Sequence, residues 1–238
     1  MHPMRIQKIL SSGGVASRRE AERMIRAGRV TVGGVTAMIG QSALYGVDDI
    51  AIDGVPLVYV DDPVYIMLNK PVGYVTTMND ERGRRTVAAL VADAGVRVYP
   101  VGRLDMNSEG LLLMTNDGMF ANAVAHPSSN IEKTYEVDAR GDVAEAVLHM
   151  RGNMRIDSHI VRASAVSLKK KTDNGGVLSI TIHEGRNRQI RKMCAQCGLD
   201  ILSLKRVSVG SIALGPLKTG QWRYLTQEER EALVTLDI

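Results

Sequence analysis

The densest collection of groups able to do chemistry in this 238-residue chain is GRLDMNSEGLLLMTNDG, residues 102–118. Asp105 follows Gly102-Arg103-Leu104, on what the pattern predicts to be a loop leading into the strand LLLMT. Glu109 is the rival carboxylate, and an Asp105–Glu109 pair could perform acid–base hydrolysis of a glycosidic bond. A loop Asp beside an Arg equally fits a salt bridge or a turn cap. Residue types and spacing leave these readings open.

A second collection lies at 184–197, EGRNRQIRKMCAQC. On a helix over 188–197, Ile190, Met193, Cys194 and Cys197 share one stripe, while Arg188, Arg191 and Lys192 share another. Cys194-x-x-Cys197 invites a zinc or redox reading. Both thiols fall on the apolar stripe, however, and the chain has no other Cys. His2, His126, His149, His159 and His183 show no ligand spacing, so the pattern assigns no metal.

The elements that must position these groups read as follows. Ile6, Ile9 and Leu10 fall at helical spacing before Gly13-Gly14; Ser17-Arg18-Arg19-Glu20 reads as a capping box opening a helix that ends at Gly28. Val30-Thr31-Val32 and Val35-Thr36-Ala37 flank Gly33-Gly34 as a hairpin. A boundary is expected at Asp61-Asp62-Pro63. Beyond it, strands fit 64–69, 110–115, 131–139, 160–168, 177–183 and 199–207, and helices fit 118–125, 142–150, 188–197 and 227–234. Irregular alternation of this kind predicts an α+β fold: a small N-terminal module, then a larger mixed, mainly antiparallel sheet with flanking helices. No glycine-rich dinucleotide or phosphate loop appears, so nucleotide-cofactor folds are unsupported.

Composition sets the outer bounds. With 45% hydrophobic and 24% charged residues the chain is globular rather than disordered. No run approaches the roughly 20 apolar residues of a helical membrane span, and MHPMRIQKIL lacks the apolar core of an export signal. A reducing cytoplasm is the expected compartment. The net charge of +4 hides an uneven distribution. Residues 1–40 hold Arg5, Lys8, Arg18, Arg19, Arg23, Arg26 and Arg29 against Glu20 and Glu22; residues 41–62 hold five Asp and no cation. Residues 151–206 then hold twelve Lys or Arg against four acids. Two basic zones suggest two surfaces facing nucleic acid. Arg18, Arg19, Arg26 and Arg29 lie off the apolar stripe, where a phosphate backbone could meet them.

Two resemblances sharpen this. KILSSGGVASRREAERMIRAGRVTVGG is similar to the S-four-type RNA-binding domain, which implies contact with structured RNA over about residues 4–50. GRLDMNSEGLLLMTNDG resembles the catalytic motif of the RsuA/RluB-type ribosomal RNA pseudouridine synthases. The likeness continues through LNKPVGYV (68–75), EKTYEV (132–137), EGRNRQIRKM (184–193) and LKRVSVGSIALGPLKTGQWRYLT (204–226). It implies an RNA-binding domain at 1–62 and a catalytic domain at 63–238. The implied reaction isomerises a uridine of ribosomal RNA to pseudouridine without metal or cofactor, and the C-terminal blocks are closer to the large-subunit type.

The same resemblance makes Asp105 the carboxylate that acts on the sugar–base unit, by attacking the anomeric carbon or by removing a ribose proton. A carboxylate in an enclosed site keeps its charge only beside a cation, and the family's pattern supplies Arg191. Tyr135 becomes the ring that stacks on the target base. Arg103 fills the vacated space or grips a phosphate, Arg186 and Arg188 contact the RNA backbone, and Arg5 and Lys8 join the arginines of the first helices. Lys70-Pro71 is expected to shape the sheet. The implied partner is ribosomal RNA or a pre-ribosomal particle, with no membrane and a monomeric enzyme. Two other classes stay on the table: a non-catalytic RNA-binding or ribosome-assembly factor, and a carboxylate-pair hydrolase.

Overall fold

The computed structural model describes residues 2–59 and 62–234, so Asp61 of the expected boundary lies outside the described residues. The chain divides into two compact units. One comprises residues 1–64 with 94–98 and 115–118, and the other comprises 65–93, 99–114 and 119 onward.

In the first unit β1 (Met4–Arg5) runs straight into α1 (Ile6–Ser12), which buries Ile6, Ile9 and Leu10. The Gly13 N–H closes α1 on the Ile9 carbonyl at 2.8 Å. Ser17 caps α2 (Arg18–Arg26), its Oγ accepting the Glu20 N–H at 3.2 Å. The reciprocal half of the expected capping box is replaced: the Glu20 carboxylate turns to Arg23 three residues on. Ala21 and Ile25 face inward. A four-stranded antiparallel sheet follows, built from β2 (Val30–Val32), β3 (Val35–Thr36), β5 (Ile50–Ile52) and β6 (Val55–Pro56) in the order β3-β2-β5-β6, while β4 (Ser42–Ala43) pairs with β1. Asp53 and Gly54, both at positive φ, make the tight turn between β5 and β6. Ile6, Ile9, Leu10, Ala21, Ile25, Val30 and Ile50 share one small core.

The second unit carries β7 (Tyr65–Lys70), β8 (Tyr99–Val101), β9 (Glu109–Thr115), α3 (Gly118–Ala125), β10 (Lys133–Arg140) and α4 (Val143–Met150). It continues with β11 (Met154–Ile156), β12 (His159–Val161), β13 (Ala165–Thr172), β14 (Gly175–Ile182), α5 (Gln189–Gln196), β15 (Asp200–Val209), β16 (Ile212–Ala213), β17 (Trp222–Tyr224) and α6 (Gln227–Val234). One sheet runs β13-β14-β10-β15-β9-β7-β17, with β16 added on β15 and β8 on β9. Its β10–β14, β10–β15, β13–β14 and β7–β17 pairs are antiparallel; β9–β15 is parallel. This is the expected α+β architecture with a mainly antiparallel sheet.

The parallel pair matters for the site. Gly110 lies opposite Arg206 at φ +103, and a Cβ there would stand 2.2 Å from the Arg206 carbonyl oxygen. Only glycine lets the strand that follows Asp105 come this close to β15. One side of the sheet packs a core of Met67, Leu111, Leu113, Phe120, Val124 and Leu225.

Two expected elements differ. The strand placed at 160–168 is two strands: His159–Val161 pairs with Met154–Ile156 in a separate hairpin, and Ala165–Thr172 joins the main sheet. Asp157 at φ +54 turns that hairpin, and the Ser164 N–H picks up the Thr181 carbonyl at 2.8 Å where the next strand begins. The helix placed at 188–197 starts at Gln189, because Arg188 adopts a left-handed conformation at φ +53.

Candidate active site

Asp105 sits on the loop between β8 and β9, and the loop is held by its own backbone. Lys70, at the end of β7 and fully buried, donates Nζ to the carbonyls of Ser108 at 2.7 Å, Pro71 at 2.9 Å and Asp105 at 3.1 Å. Thr76 brackets Leu104: its hydroxyl donates to the Leu104 carbonyl at 2.6 Å and accepts the Leu104 N–H at 3.2 Å. The Gly73 N–H holds the Met106 carbonyl at 2.8 Å, and Arg191 Nη2 holds that of Asn107 at 2.6 Å. The Asp105 backbone is thereby fixed on both sides while its carboxylate stays uncommitted. Burial pushes the Lys70 ammonium down to about 8, so it keeps its proton at neutral pH. Three carbonyls converging on one nitrogen require the three N–H donors of that charged form.

Two cations flank the carboxylate loosely. Arg188 Nη1 lies 3.5 Å and Arg191 Nε 3.7 Å from Asp105 Oδ2. These separations are longer than a good charge-assisted hydrogen bond, and Arg191 Nε is buried without a hydrogen-bond acceptor. Burial, followed by the neighbouring Arg188, lowers the Arg191 pKa, but a guanidinium remains charged. The left-handed backbone of Arg188 costs about 1–3 kcal/mol for a side chain of this kind, and it aims Arg188 at Asp105 instead of along α5. Gln189, almost fully buried, organises the turn: its Oε1 accepts the Arg186 N–H and its Nε2 donates to Glu184.

These groups open on one cleft of about 360 Å³, within the range that holds a small molecule or a single nucleotide unit. Asp105, Tyr135, Arg191, Arg103, Arg186 and Arg188 all line it. Six sequence-expected residues from three separate segments therefore meet in one place. Tyr135 is 8% exposed on β10, with the Arg206 guanidinium over its ring at 6.0 Å. Arg206 is itself buried and donates Nε to the Leu111 carbonyl at 2.7 Å. Glu109 is not among the lining residues, whereas Glu184 is tied to Arg186 at 2.9 Å. The Asp105–Glu109 acid–base pair finds no support in this arrangement.

The remaining expected RNA contacts lie in the first unit. Arg5, Arg18, Arg19, Arg26 and Arg29 are exposed and Lys8 is half-buried. Arg29 is already engaged, its Nε and Nη2 both on the Asp53 carboxylate at 2.5–3.1 Å. Among the described residues no group of three or more His, Cys, Asp or Glu is placed to hold a metal ion. Cys194 is buried, which pushes its thiol up to about 12, far from a reactive thiolate. No helix among the described residues is long and apolar enough to cross a membrane.

Residues 64–196 match the RNA pseudouridylate synthase family, and residues 4–39 match the S4 domain. The chain is 38% identical to ribosomal large subunit pseudouridine synthase B of Bacillus subtilis, covering 98% of this chain and 96% of that protein. The chain belongs to the RNA pseudouridylate synthase family. This pseudouridine synthase is also 39% identical to an uncharacterized RNA pseudouridine synthase of Aquifex aeolicus, over 96% of this chain and 93% of that one. A solved pseudouridylate synthase crystal structure superposes with a TM-score of 0.65 at 28% identity, covering 97% of this chain and 100% of the other. The enzyme is an isomerase with an S4 domain at its N-terminus, as the motifs implied.

Five residues of the site had no role there in the sequence reading. Lys70 was expected only to shape the sheet, and it clamps the Asp105 loop. A lysine inside the apolar run VYIMLNK was the available signal, because a charge in a buried strand needs partners. Thr76, Lys133, Gln189 and Arg206 carried no comparable signal: what makes them matter is convergence from separate strands and loops.

Proposed function

We propose that this enzyme isomerises a specific uridine of ribosomal RNA, in the large subunit, to pseudouridine, with Asp105 as the essential carboxylate. The observation that carries the reading is the Asp105 side chain itself. Its backbone is fixed by Lys70, Thr76, Gly73 and Arg191, while among the described residues its Oδ2 has two long ion pairs, in a cleft that Arg103, Arg186, Arg188 and Arg191 also line. Such a carboxylate is held in position without being consumed by a tight partner, which suits attack on, or proton removal from, a ribose.

The target nucleotide leaves its stack at a cost of a few kcal/mol. Stacking on Tyr135 returns about 1–3 kcal/mol of this, and Arg103, Arg186 and Arg188 at the cleft rim receive the neighbouring phosphates. The exposed cations of the N-terminal segment add affinity that does not depend on sequence. Residues 1–62 serve as the RNA-binding domain and 63–238 as the catalytic domain of a monomeric cytoplasmic enzyme acting on ribosomal RNA or a pre-ribosomal particle. The large-subunit assignment is supported by the likeness to the Bacillus subtilis relative, a ribosomal large subunit pseudouridine synthase B.

The test is a carbodiimide-adduct primer-extension map of ribosomal RNA from a strain lacking the gene, repeated after complementation with wild type or with Asp105→Asn. One large-subunit pseudouridine is expected to vanish, to return with wild type, and to stay absent with D105N while the purified variant still binds RNA. Conversion by D105N would remove Asp105 from its role. An unchanged map would favour an assembly factor.

A further inference from the structure

The charges around Asp105 are accounted for, but a second pair of cations in the cleft is not. Lys133 and Tyr135 stand two residues apart on β10, hence on the same face of the sheet and about 7 Å apart along the strand. Arg206 on β15 lies directly opposite Tyr135, and all three line the cleft. The Lys133 ammonium makes one hydrogen bond, to the His183 carbonyl at 3.0 Å, and no ion pair among the described residues. Its charged neighbour across the strands is Arg206, which repels it. Two half-buried to buried cations lining one cleft, repelling each other and with no ion pair for either among the described residues, form a place where negative charge is missing.

The proposed reaction creates such a charge. When the C1′–N1 bond of uridine breaks, the electron pair leaves with the base. The uracil anion shares that charge between its ring nitrogen and its O2 and O4 oxygens. After the base turns, C5 bonds to C1′, the C5 proton is lost, and N1 gains one, so atoms and charge balance. A base stacked on Tyr135 presents its carbonyl edge within reach of a cation one pleat along the strand. Resting on the pseudouridine-synthase reading above, we infer that Lys133, backed by Arg206, binds a carbonyl oxygen of the flipped uracil and stabilises the anion formed as the glycosidic bond breaks. Lys133 is thus a base-side counterpart of Arg191: one cation serves the carboxylate, the other serves the leaving base. A ring without a carbonyl oxygen at that edge loses the contact, which also favours uracil over cytosine if the oxygen is O4.

The test uses the full-length enzyme in excess over ribosomal RNA isolated from the deletion strain, with conversion at the target uridine followed by primer extension. Single-turnover rate and RNA affinity are measured for wild type, Lys133→Met and Lys133→Arg, with melting temperatures recorded for each. K133M is expected to slow the single-turnover step about 10- to 100-fold, the effect of losing a charged hydrogen bond to a developing anion. Its RNA affinity is expected to stay within about threefold, and K133R is expected to recover most of the rate. Three results overturn the assignment: K133M at the wild-type rate, K133R as slow as K133M, or a rate loss that merely follows lost affinity. The second would mean that Lys133 only caps the His183 carbonyl. If wild type itself converts no uridine, the reading of the reaction fails and takes this assignment with it.

Discussion

The cations of the N-terminal unit and those buried beside the cleft have the same side chains and opposite physics. Arg18, Arg19 and Arg26 are exposed on α2 with no acceptor holding them among the described residues, whereas Lys70 is fully buried and saturated by three carbonyls, and Arg206 is 5% exposed and bonded to a backbone oxygen. Exposed cations keep their hydration and work through the field they present, so their contribution is screened by salt. Buried cations have lost their water and must be compensated locally, so their contribution is geometric. A single count of basic residues adds these two populations together, although one presents charge to solvent and the other fixes backbone beside the cleft.

The largest effect separating the two populations is expected at Lys70. Lys70→Met leaves the Pro71, Asp105 and Ser108 carbonyls without their donor in a buried site. Unsatisfied groups cost about 1–3 kcal/mol each, offset in part by no longer burying a charge, so a net loss of about 2–4 kcal/mol is expected. Thermal melting would show this as a drop of about 5–15 °C. Conversion is expected to fall further than stability, since the Asp105 loop loses its clamp. A pH profile sharpens the point. The shift is downward, so the form lost on raising the pH is the charged one, and it is lost near 8. A neutral amine has two N–H donors for three carbonyls, and the single-turnover rate is expected to decline above about pH 8. Lys133 is also lowered to about 8, chiefly by burial and then by Arg206. The alkaline decline that persists in K133R, where the guanidinium does not titrate, therefore belongs to Lys70. A flat profile to pH 9.5 in that variant would break the clamp argument.

Thr76 comes next. Its hydroxyl meets both backbone groups of Leu104 from a segment almost thirty residues away, and it is 4% exposed. Thr76→Val keeps the shape and removes both hydrogen bonds. We expect a roughly tenfold slower single turnover at unchanged RNA affinity, since about one buried hydrogen bond's worth of positioning is lost, and near-normal rates in Thr76→Ser. Equal loss in both variants would assign the effect to packing of the methyl group instead.

How far all this could be read from the residues depends on what kind of information each part needs. Local rules carried α1, α2, α4 and α6. The Ser17 and Asp142 caps act within three residues, and the amphipathic stripes show which faces are buried. They failed at 160–168, where the end of one strand at Val161 and the start of another at Ala165 hide inside one β-like run. They also failed at Arg188, whose left-handed backbone starts the helix one residue later than its periodicity implies. In the site, Asp105, Tyr135 and Arg191 were legible because they sit inside recognisable motifs. The Lys70 clamp, the Thr76 bracket and the Lys133–Arg206 pair were not, because each joins segments 28 to 73 residues apart through tertiary structure. Nothing in a linear string announces that Gly110 must lie against Arg206, and that contact sets β9, and the loop before it, against β15.

The smallest effect on chemistry, and the clearest opposite to Lys70, is expected on α2. Replacing Arg18, Arg19 and Arg26 together by Ala removes exposed guanidinium groups that no acceptor holds in the described structure, so melting temperature and single-turnover rate at saturating RNA are expected to stay near wild type. The change appears in affinity. Each phosphate contact contributes about 0.7–0.9 to the slope of log affinity against log salt, so up to about 2–3 units of slope are expected to disappear. Arg29 supplies the internal control. Its guanidinium is occupied by Asp53 on both carboxylate oxygens, so Arg29→Ala is expected to change the slope less than Arg26→Ala does. If Arg29→Ala has the larger effect, RNA displaces the Asp53 pair on binding. Exposed and engaged cations would then not be separable by the free structure, and the division between field and geometry would hold only for cations as deeply buried as Lys70 and Arg206.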